Sequence, residues 1–160
     1  MTVIDTSPVS ALILQAATEQ AKRLVGYKYT SQDWRADPMM LLENCLNGKI
    51  AEAAYAIAIG KDVNLILDDD FDRPDFITLQ GIIDVKAVIY PKRHMNVKAK
   101  DLTGIDILVG VGVQTNNWRA KIHGQIPASH ITRLPVSEPT PGRSTPYWSV
   151  PLELLQPVVI

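Results

Sequence analysis

Apolar residues recur at helical spacing in two N-terminal stretches, and the pattern then changes to strand-like runs. Val9, Leu12, Ile13, Ala16, Ala17 and Leu24 form one stripe. It predicts a helix over 7–25, with Ser7 as N-cap, Pro8 as the first helical residue and Gly26 as the stop. Met39, Leu42, Cys45, Leu46, Ile50, Ala53, Ala54 and Ile57 form a second stripe. Asp37-Pro38 opens that helix by the same cap-then-proline logic, and Gly60 closes it after about Ile59. Gly48 interrupts the stripe, which predicts a close backbone contact, a kink, or a division into two helices at Asn47-Gly48. The connection over 27–36 is polar and aromatic. Tyr27, Lys28, Tyr29, Trp34 and Arg35 suit contact with a nucleic acid, but packing over the core edge is the stronger reading.

From residue 62 onward the pattern is that of strands. Residues 62–67 read as a strand that leads into a solvated turn at Asp68-Asp69-Asp70. That acidic triplet lacks the further spaced ligands and closing Glu of a calcium loop. Phe76–Leu79 and Ile82–Val88 are two apolar runs separated by Gln80-Gly81, which predicts an antiparallel hairpin. Residues 105–113 are almost wholly apolar, as in a buried strand. Gly110 and Gly112 fall on one face of it and leave that face bare, so a helix or a second strand must pack closely there. Residues 118–126 alternate as another strand, and Pro127 opens a short helix over 128–134. Four prolines mark 135–146 as an extended loop. The tail over 147–157 regains apolar content and is expected to dock on the core. The sum is a mixed sheet flanked by helices, α/β or α+β in class.

The 160-residue length suits one domain over 1–160, with its core at about 37–134, the N-terminal helix 7–25 and a docking tail 147–160. Charged residues make up 21% and the formal net charge is −1, so a nucleic-acid partner needs a local basic face. The single cysteine, Cys45, excludes an intramolecular disulfide and a cysteine zinc cluster, and its place in a helical stripe predicts a small buried side chain. His123 and His130 are too isolated to argue for zinc or general-base chemistry. No signal peptide and no bilayer-length apolar run is visible, so the expectation is a soluble cytoplasmic protein without a membrane partner.

Chemistry concentrates between Arg73 and Val88. Asp75 begins the first strand of the hairpin, and Asp84 and Lys86 share one face of the second. The hairpin therefore brings two carboxylates and an ammonium together at an edge of the sheet. Half-buried charges are costly unless paired or bound to a cation, and a hard divalent cation relieves the repulsion of two carboxylates. A lysine beside such a cation can position a water or stabilise charge on a phosphate. The plainer reading is a solvated Asp–Lys pair, and Asp-Xaa-Lys alone would favour it.

Pro74-Asp75 followed by Asp84-Val85-Lys86 resembles the PD-(D/E)XK nuclease superfamily, with its restriction-endonuclease-like fold. Many members have Glu at the place of Asp84. In element order the resemblance covers roughly 37–134, with a Glu-bearing helix ahead of three antiparallel strands and a later parallel one. It implies a Mg²⁺-dependent deoxyribonuclease, with Mn²⁺ as a substitute, related to junction-resolving, repair or restriction endonucleases. Asp75 and Asp84 would ligate the metal, with the Val85 carbonyl as a further ligand. Glu52 would complete the shell directly or through water, and Lys86 would position the attacking water. Glu43 is the competitor of Glu52 on a more polar turn. The basic residues Lys92, Arg93, Lys98 and Lys100 read as a loop that contacts DNA phosphates, and Gln114 is a further substrate contact. A solubilising loop explains the same basic residues equally well.

Two other functions compete: a nucleic-acid-binding module of the same fold without turnover, and a structural or assembly protein. The presence of all of Glu52, Asp75, Asp84 and Lys86 favours the enzyme. A homodimer is expected, because two copies supply two sites for two strands. Its contact surface would be the stripe of the first helix or the tail around Trp148 and Leu152.

Overall fold

The computed structural model describes residues 2–25, 37–67, 74–114, 116–137 and 146–159. The expectations for 27–36 and for Asp68-Asp69-Asp70 lie outside these residues. The fold is α+β, built in three layers. Helices α1 (Ser10–Val25) and α2 (Pro38–Ile59) cover one face of a five-stranded sheet. A two-stranded sheet and the short helix α3 (Ala128–Ile131) cover the other.

The main sheet contains β1 (Thr2–Asp5), β2 (Phe76–Thr78), β3 (Gly81–Ile89), β5 (Ile107–Val113) and β6 (Arg119–Pro127), in the order β1-β6-β5-β3-β2. β3 and β5 are parallel, and the other neighbours are antiparallel. The second sheet pairs β4 (His94–Lys98) with β7 (Tyr147–Pro151). The β2–β3 hairpin turns at Gln80-Gly81 as the sequence predicts, with Gly81 at φ +126°. A Cβ at Gly81 would lie 2.5 Å from Asp106 Oδ2. That oxygen accepts the Ile82 N–H at 2.8 Å and so ties the hairpin to the entry of β5.

The α2 limits agree with the capping signals. Asp37 Oδ1 accepts the Met39 N–H at 2.9 Å, and Gly60 ends the helix in the left-handed region. The helix continues unbroken through Gly48, where a Cβ would meet no atom within 4 Å. The close contact expected there is absent. Cys45 is buried with Ala17 and Leu41 between the helices.

Several expectations are corrected. Residues 63–67 form a 3-10 turn, because Asp62 accepts from Asn64 and starts a tight turn where a strand was read. Among the described residues, the antiparallel unit between α2 and the parallel β5 in the main sheet therefore has two strands, β2 and β3, where three were expected. The N-terminal residues add a strand, β1, and Ser7–Val9 is a 3-10 turn ahead of α1. The basic segment after β3 is not a free loop: His94–Lys98 is ordered as β4. The α1 stripe offered as a contact surface is internal, with Ile13, Ala16 and Ala17 buried. Trp148 and Leu152 pack on the second core.

The bare face of β5 is roofed at Gly110 but not at Gly112, where only His123 of the adjoining strand lies close. A Cβ at Gly110 would lie 2.8 Å from Leu155 Cδ1 and 3.0 Å from Met95 Sδ, so the tail and β4 press on it. The tail is latched by two backbone bonds between Gln125 and Gln156, at 2.7 and 2.8 Å. Among the described residues no helix is long and apolar enough to cross a membrane.

Candidate active site

Residues of β3 alternate between the two cores. Ile83 and Val85 enter the helix-side core, and Val88 enters the other. Asp84 and Lys86 therefore lie on the face opposite α2. β2 pairs only with Gly81–Ile83, so beyond Ile83 that edge of β3 has no strand partner among the described residues. Asp75 fills the gap. Its Oδ2 accepts the Val85 N–H at 2.7 Å, in place of the next ladder bond. Phe76 fixes the position of Asp75 by packing edge-on against Tyr55 of α2, with ring centroids 5.2 Å apart. This free edge is where side chains from both sides of the sheet meet.

Lys86 Nζ lies 3.1 Å from Asp84 Oδ2 and 3.2 Å from Asp101 Oδ1. Asp84 Oδ2 is buried and receives that ion pair without a well-directed hydrogen bond. Asp101 stands in the 3-10 turn Ala99–Leu102, with its Oδ2 accepting the Lys98 N–H at 2.8 Å. On the helix side, Glu52 Oε2 pairs with Lys49 Nζ at 3.0 Å. Lys49 is only 3% exposed, unusual for a lysine. Glu43 is exposed, so Glu52 is the glutamate of α2 that reaches the cluster.

The electrostatics follow from this crowding. Burial pushes the Asp75 carboxyl well above the ordinary carboxylate range, and the charges of Glu52 and Asp84 push it the same way. The Val85 N–H and Lys86 offset part of this. Burial also raises Asp84 despite Lys86, and the Asp75 carboxyl is close enough to hydrogen-bond with it. Burial alone would depress Lys86, but Asp84 and Asp101 outweigh it and hold the ammonium above the ordinary lysine value. Two adjoining carboxyls that resist ionising together are a site that lacks positive charge.

The structure thus brings together Glu52, Asp75, Asp84 and Lys86, and it adds Lys49 and Asp101, which sequence reasoning missed. Lys49 had a signal, a Lys–Glu pair at i,i+3 on a turn of small apolar residues. Asp101 had none, because its partner Lys86 is distant in sequence. The basic residues divide into two groups. Lys98 and Lys100 flank Asp101, whereas Lys92, Arg93 and Gln114 line a cleft at the far end of β3 and β5. His123 lies beside that cleft, and burial and Lys121 hold its pKa below the ordinary histidine value.

Among the described residues, no group of three or more His, Cys, Asp and Glu side chains could hold a metal ion. Mg²⁺, however, commonly takes one or two carboxylates and completes its octahedron with water and phosphate oxygens. The adjoining Asp75 and Asp84 carboxyls, with their raised pKa values, fit that requirement. Comparison with known proteins adds no relative: no family model, no curated protein and no solved structure matches the chain significantly.

Proposed function

We propose that the chain is a metal-dependent deoxyribonuclease with a restriction-endonuclease-like core, hydrolysing DNA phosphodiester bonds at the free edge of β3. The observation that carries this reading is the Asp75–Asp84 contact beside Lys86. Two adjoining carboxyls pushed up by burial, Asp75 further by the charges of Glu52 and Asp84, are poised to release protons to a bound cation. Asp75 and Asp84 would hold Mg²⁺ or Mn²⁺. The Val85 carbonyl leaves β3 on the same side as the N–H bound by Asp75, which puts it at the same edge. The cation would supply an activated water and charge neutralisation at the phosphate. Lys86, fixed between Asp84 and Asp101, stays protonated and donates to a water or a phosphoryl oxygen. Glu52, tethered by Lys49, adds negative charge beside Asp75 and can reach the cation through water.

The reading is tested by incubating purified protein with single-stranded, duplex and branched DNA in Mg²⁺, Mn²⁺, Ca²⁺ or EDTA. Cutting is expected in Mg²⁺ and Mn²⁺, with binding but little cutting in Ca²⁺. Protein that binds every substrate and cuts none is a binding module instead. A two-strand cutter of this size would act as a homodimer. The α1 stripe is spent on the core, so such a dimer would use other surfaces. Light scattering at micromolar concentration, with and without DNA, decides between one copy and two.

A further inference from the structure

The second sheet roofs only part of the sheet face that carries Lys86. In register, Lys86 stands beside Gly110, Val88 beside Gly112, and Gly112 beside Lys121. All of these share that face. Gly110 is covered by Leu155 and Met95, whereas the nearest side chain to a Cβ at Gly112 is His123 of the adjoining strand. Past Gly110 the face opens into a cleft of about 700 Å³. Lys92 and Arg93, from the β3–β4 turn, line it together with Arg119 and Lys121 of β6. Glu153 is the one carboxylate among its lining residues. A chain with net charge −1 has thus gathered four cations around one concavity.

Two features make this a built surface. Tyr90 is 69% exposed at the cleft and leaves a ring face open for stacking. Arg119 follows Trp118, a non-glycine residue at φ +58°. The Trp118 carbonyl accepts both the N–H and the hydroxyl of the fully buried Thr6, at 2.8 and 2.6 Å. Asn117 Oδ1 accepts the Arg119 N–H at 3.0 Å. The backbone that presents Arg119 is therefore held in a sparsely populated conformation by buried bonds. Asp5 faces Arg119 across the β1–β6 ladder and offsets part of its charge.

We propose that this cleft binds a single-stranded polynucleotide segment, with phosphates on Lys92, Arg93, Arg119 and Lys121 and a base stacked on Tyr90. The cations come from two separate elements, the β3–β4 turn and β6, which suits successive phosphates better than a single one. A cleft of about 700 Å³ suits a short stretch of extended single strand better than the breadth of a duplex. Tyr90 stands four residues beyond Lys86, just past the end of β3, about 13 Å away by strand rise. The inference rests on the nuclease reading for the identity of the ligand, and on the cleft alone for its place.

Fluorescence anisotropy with a labelled oligo-dT of roughly 12 nucleotides, within the usual range of site sizes, tests it in EDTA. The variants are Arg119→Gln/Lys121→Gln, Lys92→Gln/Arg93→Gln, the single Lys121→Gln and Tyr90→Leu. Each double variant should weaken binding at least tenfold and lower the salt slope by about 1.4, two contacts at ~0.7 each. Tyr90→Leu should weaken it several-fold, and Arg133→Gln, just after α3 and not among the residues lining the cleft, should bind as wild type. Folded double variants that bind as tightly as wild type overturn the proposal. So does thymidine monophosphate competing as well as the oligomer, or a hairpin duplex binding with the same dependence on these residues. A wild-type protein that binds no single strand but cuts duplex DNA in Mg²⁺ overturns the cleft and keeps the nuclease. One that binds through these residues and never cuts keeps the cleft and overturns the nuclease.

Discussion

The Lys86 ammonium is tethered to Asp101, at 3.2 Å, as closely as it is to Asp84, at 3.1 Å. On the nuclease reading proposed above, Asp101 is a positioning residue, and its other oxygen is anchored on the Lys98 N–H. Asp101→Asn should lower kcat about tenfold, the low end for loss of a supporting partner, with KM little changed. Asp101 is also one of the charges that raise Lys86. Its loss should move the alkaline limb of the pH–rate profile to lower pH. A variant with reduced kcat and an unmoved alkaline limb would make Asp101 merely structural.

Removing the Lys86 ammonium should separate binding from chemistry. Lys86→Ala should abolish cleavage and leave metal binding largely intact, because the lysine acts on water and phosphate. Asp84→Ala should lose both. Titration with Mn²⁺ followed by calorimetry, beside a cleavage assay, reads the two effects independently.

Asp75 makes a stability prediction that needs no substrate. Its folded pKa lies well above the ordinary carboxylate value. The folded state therefore binds more protons between those two values, and stability falls as pH rises through that window. Asp75→Asn keeps an acceptor for the Val85 N–H and removes the charge. At pH 8 without metal it should stabilise by about 1–2 kcal/mol, the usual scale for one substitution. The gain should vanish below the ordinary carboxylate range. Mg²⁺ at a hundredfold excess over Kd should stabilise wild type by about 2.7 kcal/mol and leave Asp75→Asn unmoved. Melting curves at about pH 3, below the ordinary carboxylate range, and at pH 8 check this, and equal shifts at both would sink it.

Lys49→Met removes the buried ammonium that pairs with Glu52 at 3.0 Å. The cost should be about 3 kcal/mol, as for one half of a buried ion pair. Lys49→Met with Glu52→Gln should recover most of it. Urea melts of the single and double variants give the coupling directly, and additive losses would deny the pair.

Gly124→Ala tests the tail latch. Gly124 has φ +142°, and a Cβ there would lie 2.4 Å from the Gln156 carbonyl oxygen. The substitution should cost about 2–3 kcal/mol and open the tail to limited proteolysis at lower temperature. An unchanged cleavage pattern in the tail would count against the latch.

Much of the fold was legible because it rests on local signals. Asp37-Pro38 and Gly60 bounded α2, Gln80-Gly81 set the hairpin, and the bare Gly110 face demanded a covering layer. The identity of that layer was hidden, because β4 and β7 are short and become strands only by pairing with each other. The 62–67 run misled because apolar residues at a tight turn mimic a strand. Within the site, Asp75, Asp84 and Lys86 were readable from strand alternation and one turn. Asp101 was not, because its contact with Lys86 depends on the path of β4 over the sheet.

That path has a consequence for the order in which the chain assembles. β4 pairs with β7, so His94–Lys98 must wait for Tyr147–Pro151 before either forms a ladder. Asp101 follows directly on β4, so its grip on Lys86 depends on the same late closure. During synthesis, Glu52, Asp75, Asp84 and Lys86 all emerge well before β7. A ribosome-bound chain halted before Tyr147 would carry those four residues but lack the sheet that steadies Lys86. Long-range pairing of this kind carries a loop-closure cost and slows folding. The setting of Lys86 is therefore complete only when β7 has closed the second layer on β4.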